Sequence, residues 1–146
     1  MIVVVEPGVA IKWFVEEPLR QQARSLLVQG HELVAPDILI AEVAELARKK
    51  ALAGEISLDQ ATPIVRNIGL PDFISTFVES TRLRHRALAL ALQCRLPVHD
   101  CFYAACAEAT SAPLVSSDEA FLKALKAKKI AIRGVALARI HELTDA

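Results

Sequence analysis

The chain has 146 residues, 17 of them basic and 17 acidic, for a formal net charge of zero. That length suits a single domain spanning 1–146 with a core of its own, and the even charge gives no argument for a partner held by overall charge, leaving only a local basic surface. Hydrophobic residues make up 53% and aromatic residues 5%, so Ala, Leu and Val must build the core, as helices packed on a small sheet do.

The opening run Ile2–Val5 consists of β-branched apolar residues and predicts a strand buried on both faces. Glu6 ends it. Val9, Ala10, Trp13 and Phe14 then follow at helical spacing, which predicts a helix from Pro7 to Phe14 with Pro7 at its first position. After a break at Glu16-Glu17-Pro18, an amphipathic helix is expected from Leu19 to Gln29, with Gly30 at its end. Glu32 to Ala35 reads as a second strand, closed by Pro36. Asp37 is placed to cap a helix from Ile38 to Ala53. Ser57 opens another, Leu58 to Ile68, in which Pro63 marks a kink or a later start.

Phe73 to Val78 reads as a short strand and Thr81 to Gln93 as a helix. The short stretch Leu96–His99 leads into Asp100 as a strand would, and a helix follows from Cys101 to Thr110. Pro113–Ser116 is a buried strand leading to Asp118 and a helix through about Lys126. Lys129–Arg133 alternates like an edge strand, and Val135–Leu143 reads as a last short helix. The alternation implies α/β/α layers around a small, mostly parallel sheet. Cys94, Cys101 and Cys106 form no CxxC, and the first residues carry no basic leader, which points to reduced thiols in a cytoplasmic protein. No run approaches the ~18 apolar residues of a membrane span.

Four acids resist ordinary surface explanations. Glu42 shares a helix face with Leu39, Val43 and Leu46 and has no basic residue three or four positions away; an unpaired carboxylate there is costly. Asp100 and Asp118 stand where a short apolar stretch turns into a helix, and each has an alternative as a helix cap. For Asp118 that alternative is a capping box with Ser116 as cap and Glu119 three residues on, leaving Asp118 to face the helix dipole. Glu6 has the least structural explanation, because Glu is not a favoured cap and its sole nearby cation is Lys12. In a parallel sheet the strand ends share one edge, so Glu6, Asp100 and Asp118 can meet there, with Glu42 beside them. Gathered carboxylates repel, and a hard divalent cation such as Mg²⁺ or Mn²⁺ removes the conflict. No phosphate-cradling loop is present, so metal-assisted phosphodiester hydrolysis suits the set better than nucleotide binding.

The segments IVVVE-x-x-VAIKWF, APDILIAEVAELARKK and LPVHDCFYAACAEATSAPLVSSDEAFLKAL together resemble a PIN domain, and within that family the VapC-type toxins of bacterial toxin–antitoxin pairs. The resemblance implies a Mg²⁺- or Mn²⁺-dependent ribonuclease that acts as a homodimer and is inhibited by an antitoxin. It carries the family's acids onto Glu6, Glu42, Asp100 and Asp118, with Glu6, Asp100 and Asp118 as metal ligands and Glu42 as a further ligand or as the group orienting the attacking water. Ser116 falls on a small hydroxyl residue before the last acid. The family usually opens with Asp, a small residue and Ser or Thr, whereas Glu6-Pro7-Gly8 stands here. That departure raises a rival reading, a degenerate PIN domain that binds RNA or a protein without cutting. A phospho-acceptor receiver domain also clusters acids at strand ends, but it needs an acid pair after the first strand and a lysine ending the last; Glu6 stands alone, and Gly134 follows the last expected strand. His99 reads as a packed or solvated residue, Trp13 and Phe14 as core, and Arg82, Arg84 and Arg86 as a solvated helix face.

Overall fold

The structure, a computed structural model, describes residues 1–144. Five strands form one all-parallel sheet in the order β3-β2-β1-β4-β5, with β1 at Ile2–Val5, β2 at Glu32–Pro36, β3 at Thr76–Val78, β4 at Leu114–Ser116 and β5 at Gly134–Ala136. Helices α1 (Pro7–Ala10), α2 (Arg20–Val28), α3 (Leu39–Leu52), α4 (Leu58–Ile68), α5 (Ser80–Cys94), α6 (Val98–Thr110) and α7 (Glu119–Ala127) flank it in the expected three-layer arrangement. The opening strand is central because it is apolar on both faces: Val3, Val4 and Val5 have no solvent exposure, and Val4 pairs with Val34 on one side and Leu114 on the other. Among the described residues no helix is long and apolar enough to cross a membrane.

Several elements fall where the sequence places them. Ser57 opens α4 through a full capping box with Gln60, and Pro63 lies inside the helix without ending it. Trp13 is core: its indole N–H donates to the Ala23 carbonyl at 2.8 Å, and its ring meets Phe14 and Phe73. The three cysteines are buried and free of disulfides, and burial pushes the Cys101 thiol up to about 11 and that of Cys106 to about 12, so those two remain protonated core groups.

Five expectations need correction. The first helix is a four-residue α1 that tightens into a 3₁₀ turn at Ile11–Trp13. Asp37 does not cap α3; its N–H joins the Val78 carbonyl beside β2 and β3, and its Oδ1 accepts from the Ser80 N–H, so it serves α5 instead. Leu96–His99 is no strand. Arg95 ends α5 in the left-handed region, and Val98 and His99 already belong to the first turn of α6. The last strand lies beyond Lys129–Arg133, at β5. A Cβ on Gly134 would meet Leu122 Cδ2 of α7 at 2.8 Å, so the chain lies against that helix where the side chain is missing. The tail is a kinked 3₁₀ segment, Leu137–Glu142.

Candidate active site

The strand order places the site. Successive strands move outward from β1 to β3, and β4 then returns to the other side of β1, so the reversal falls between β1 and β4. A crevice opens at the carboxyl ends of the strands at such a point. Helices α1, α3 and α7 begin just past the carboxyl ends of β1, β2 and β4, so their N-termini share that edge, and His99 at the start of α6 meets Glu42 of α3 there. All four predicted acids stand there: Glu6 before α1, Glu42 in the first turn of α3, Asp100 in the first turn of α6 and Asp118 before α7. Asp100 arrives as part of a helix rather than from a strand end, on the same edge.

Glu6 is held closely. Its Oε2 accepts from the Gly8 N–H at 3.1 Å, and its Oε1 accepts from the Val9 N–H at 2.8 Å and from the Ser117 N–H and hydroxyl at 3.2 Å each. It is therefore the cap of α1, a role Glu seldom takes, and it also ties β1 to the turn after β4. Burial raises its carboxyl above the ordinary value, and the four donors offset part of that rise. Lys12 does not reach it, being paired with Glu17 at 2.8 Å.

Asp118 follows directly. Its Oδ1 accepts from the Phe121 N–H at 3.0 Å, so Asp118, not Ser116, is the cap of α7. The buried Ser116 hydroxyl accepts from the Asp118 N–H at 3.0 Å and so supports the acid's backbone. Glu119 pairs outward with Arg139 at 2.9 Å and leaves the capping box unformed. Phe121 occupies one Asp118 oxygen and leaves Oδ2 outside the cap.

Glu42 has found the partners that its position demands. The Tyr103 hydroxyl donates to its Oε1 at 2.5 Å, and His99 Nδ1 lies 3.1 Å from its Oε2. Burial raises the Glu42 carboxyl; Tyr103 and His99 pull it back, and the nearby charge of Asp100 pushes it up further. Asp100 is raised by burial, lowered by His99 at 3.5 Å and raised by Asp118. Tyr103 is driven far above the ordinary phenol range by burial first, then by the Glu42 bond and the charges of Glu42, Glu6 and Asp100. Its hydroxyl is thus a fixed donor within the field of three acids. His99, more exposed, bridges Glu42 and Asp100.

Tyr103, His99 and Ser117 were not among the predicted site residues. Tyr103 had a signal, since it lies three residues after Asp100 and so on the same side of α6; Ser117 had none. The Arg82–Arg86 cluster stands apart: Arg86 pairs with Glu108 at 2.7 Å, and Arg84 donates to the Thr81 carbonyl. None of the four acids lines the clefts of about 610 and 600 Å³.

The family model for the PIN domain matches residues 3–127, most of the chain and the whole acid-bearing stretch. The chain belongs to the PIN domain family. Solved structures agree on the fold. VapBC2 from Rickettsia felis, bound to a DNA fragment from its promoter, superposes with a TM-score of 0.63 at 15% identity, covering 93% of this chain and 98% of that one. PAE2754 from Pyrobaculum aerophilum gives 0.62 at 20% identity, with 98% and 91% covered. FitAB bound to an IR36 DNA fragment gives 0.65 at 13% identity, with 99% of each chain covered. A search of curated proteins finds no match.

The donor set of this PIN domain is all carboxylate oxygen, the chemistry a hard divalent ion takes. Among the described residues no three His, Cys, Asp or Glu side chains form a ready cage. The arrangement instead fits an ion held by one or two carboxylates and completed by water, as Mg²⁺ usually is. Asp100 feels the charge of Asp118, and Asp118 has only its Oδ1 engaged by the α7 cap.

Proposed function

We propose that this PIN domain, acting as one unit over 1–146, is a Mg²⁺- or Mn²⁺-dependent endoribonuclease and the toxin of a type II toxin–antitoxin pair in the cytoplasm. The observation that carries the reading is the convergence of four acids, from four separate segments, on the sheet edge at the β1–β4 reversal. PIN domains are generally nucleases. Asp100 and Asp118 would hold the ion, and Glu6, the third ligand expected from the sequence, would stand beside them with its Oε2 on the Gly8 N–H. When bound, the ion lowers the pKa of a water and offsets charge developing on the phosphodiester. Glu42 orients the attacking water and takes its proton on Oε2. Its raised carboxyl suits a general base better than an ordinary one does. Tyr103 holds the other oxygen, and His99, against both Glu42 and Asp100, is placed to relay the proton outward.

The VapBC2 and FitAB structures support an antitoxin as partner; the homodimer is what the family resemblance alone implies. A second reading, a PIN domain that binds RNA or a protein without cutting, is favoured by one observation: Glu6 is already committed to four protein donors. RNA cleavage assays with Mg²⁺ or Mn²⁺, with EDTA, and with Asp100→Asn separate the two. The nuclease reading expects cleavage only by the wild type with metal, and a fall of at least about 100-fold for the variant, above the roughly 10–100-fold cost of losing a group that merely supports a metal ligand. Equal cleavage by Asp100→Asn would sink the assignment. Absence of cleavage and of Mn²⁺ binding at millimolar metal would favour the second reading.

A further inference from the structure

A Cβ built on Gly8 would lie 2.4 Å from Ser117 Oγ and 3.0 and 3.1 Å from the two Glu6 oxygens. No real side chain tolerates the first distance, so the Ser117 hydroxyl occupies the room that a side chain at position 8 would need. From that place it donates to Glu6 Oε1 at 3.2 Å, and the Ser117 N–H donates to the same oxygen. Residue 117 immediately precedes Asp118, whose N–H is tied to Ser116. Three consecutive residues of the β4–α7 turn are therefore fixed from two sides, by Glu6 and by the α7 cap.

We propose that Gly8 and Ser117 are a reciprocal pair, in which Ser117 supplies across the sheet edge the hydroxyl that position 8 lacks, and that Glu6 acts through Ser117 as a positioning residue for Asp118. The positioning role rests on the reading of Asp118 as a metal-holding residue; the packing does not. The pair accounts for both departures at the start of the chain together. The longer Glu6 reaches past its own helix cap to the next strand's turn, and Gly8 clears the space in which that turn's hydroxyl meets it. Glycine has no conformational reason to stand at this position in α1, where alanine is ordinarily the more stable residue.

A double-mutant cycle on the full chain tests this, using Gly8→Ala, Ser117→Ala and the combination, with Gly8→Ser/Ser117→Ala as a transplant of the hydroxyl. Melting midpoints read the packing. Gly8→Ala is expected to be worse in the wild type than in the Ser117→Ala background by about 3 °C or more, roughly the shift of one lost contact in a chain of this size. Additive shifts overturn the pairing. Mn²⁺ affinity by calorimetry reads the positioning. Ser117→Ala should weaken it about tenfold, as loss of a group supporting a metal ligand does, and Gly8→Ser added to it should restore most of that loss. Unchanged affinity in Ser117→Ala, or no rescue by the transplant, overturns the positioning role. If the wild type binds no Mn²⁺ and cuts no RNA, the nuclease reading and the positioning role fall together, and the melting cycle alone decides the packing.

Discussion

Glu42 and Tyr103 show how a single buried contact sets a site's chemistry. Glu42 sits on a helix face whose neighbours Leu39 and Val43 are wholly buried. A carboxylate there is tolerable only with donors, and it has one from a phenol and one from an imidazole. Replacing Tyr103 with Phe removes the first without changing the ring. The expected result is a further rise of the Glu42 carboxyl, an alkaline displacement of the acid limb of the cleavage profile, and a fall of about tenfold or more in kcat. A profile that keeps its acid limb would mean that Glu42 is not the titrating base. The unpaired acid on an apolar stripe was visible in the sequence. Its partners were not, because His99 lies 57 residues away and Tyr103 lies 61.

Short strands hold their positions through the helices that cover them. β5 has three residues, too few for alternation to reveal it, and the more regular pattern of Lys129–Arg133 just before it misleads. Gly134 meets Leu122 at the far end of that side chain. Gly134→Ala should destabilise the fold by up to about 1 kcal/mol, the low end of overpacking because the Leu122 tip can give, and Leu122→Ala should relieve that in denaturant titrations. Equal losses in both backgrounds would show that β5 is placed by its ladder bonds alone. Asp37 makes a similar point. Its local sequence argues for a cap on the next helix, yet the β2–β3 ladder carries it to α5. Conversely, the Ser57–Gln60 box and the buried Ile2–Val5 run were legible, since each depends on residues adjacent in the chain.

The whole molecule concentrates unfavourable charge at one edge. Glu6, Glu42 and Asp100 all have carboxyl groups raised above their ordinary values, chiefly by burial. A raised carboxyl means that the folded chain binds protons more readily than the unfolded one. These groups therefore cost no stability while both states are protonated. They begin to cost it as pH rises above the ordinary values, 4.5 for Glu and 3.8 for Asp, and the loss is complete above the raised folded values. Glu17, lowered by Lys12 and Lys50, contributes the opposite slope, so the difference between variants is the useful quantity. Asp100→Asn should melt about 2–4 °C above the wild type at neutral pH, with the gap closing on acidification through the carboxylate range. Mn²⁺ should raise the melting midpoint of the wild type at neutral pH and leave Asp100→Asn largely unmoved. A gap that does not change with pH would remove charge repulsion as its cause.

The sequence by itself determined the parallel α/β architecture, the central place of the opening strand and the four acids of the edge. Those follow from local apolar runs, from the period of each helix and from the rule that parallel strands end together. Only the tertiary structure decided how the acids are held: Asp100 delivered by a helix, Asp118 as a cap, Glu42 between Tyr103 and His99, and Glu6 bonded to Ser117. These bonds join residues 57, 61 and 111 positions apart. They depend on strand order and on where a missing Cβ leaves room, neither of which is written in any one stretch of the chain.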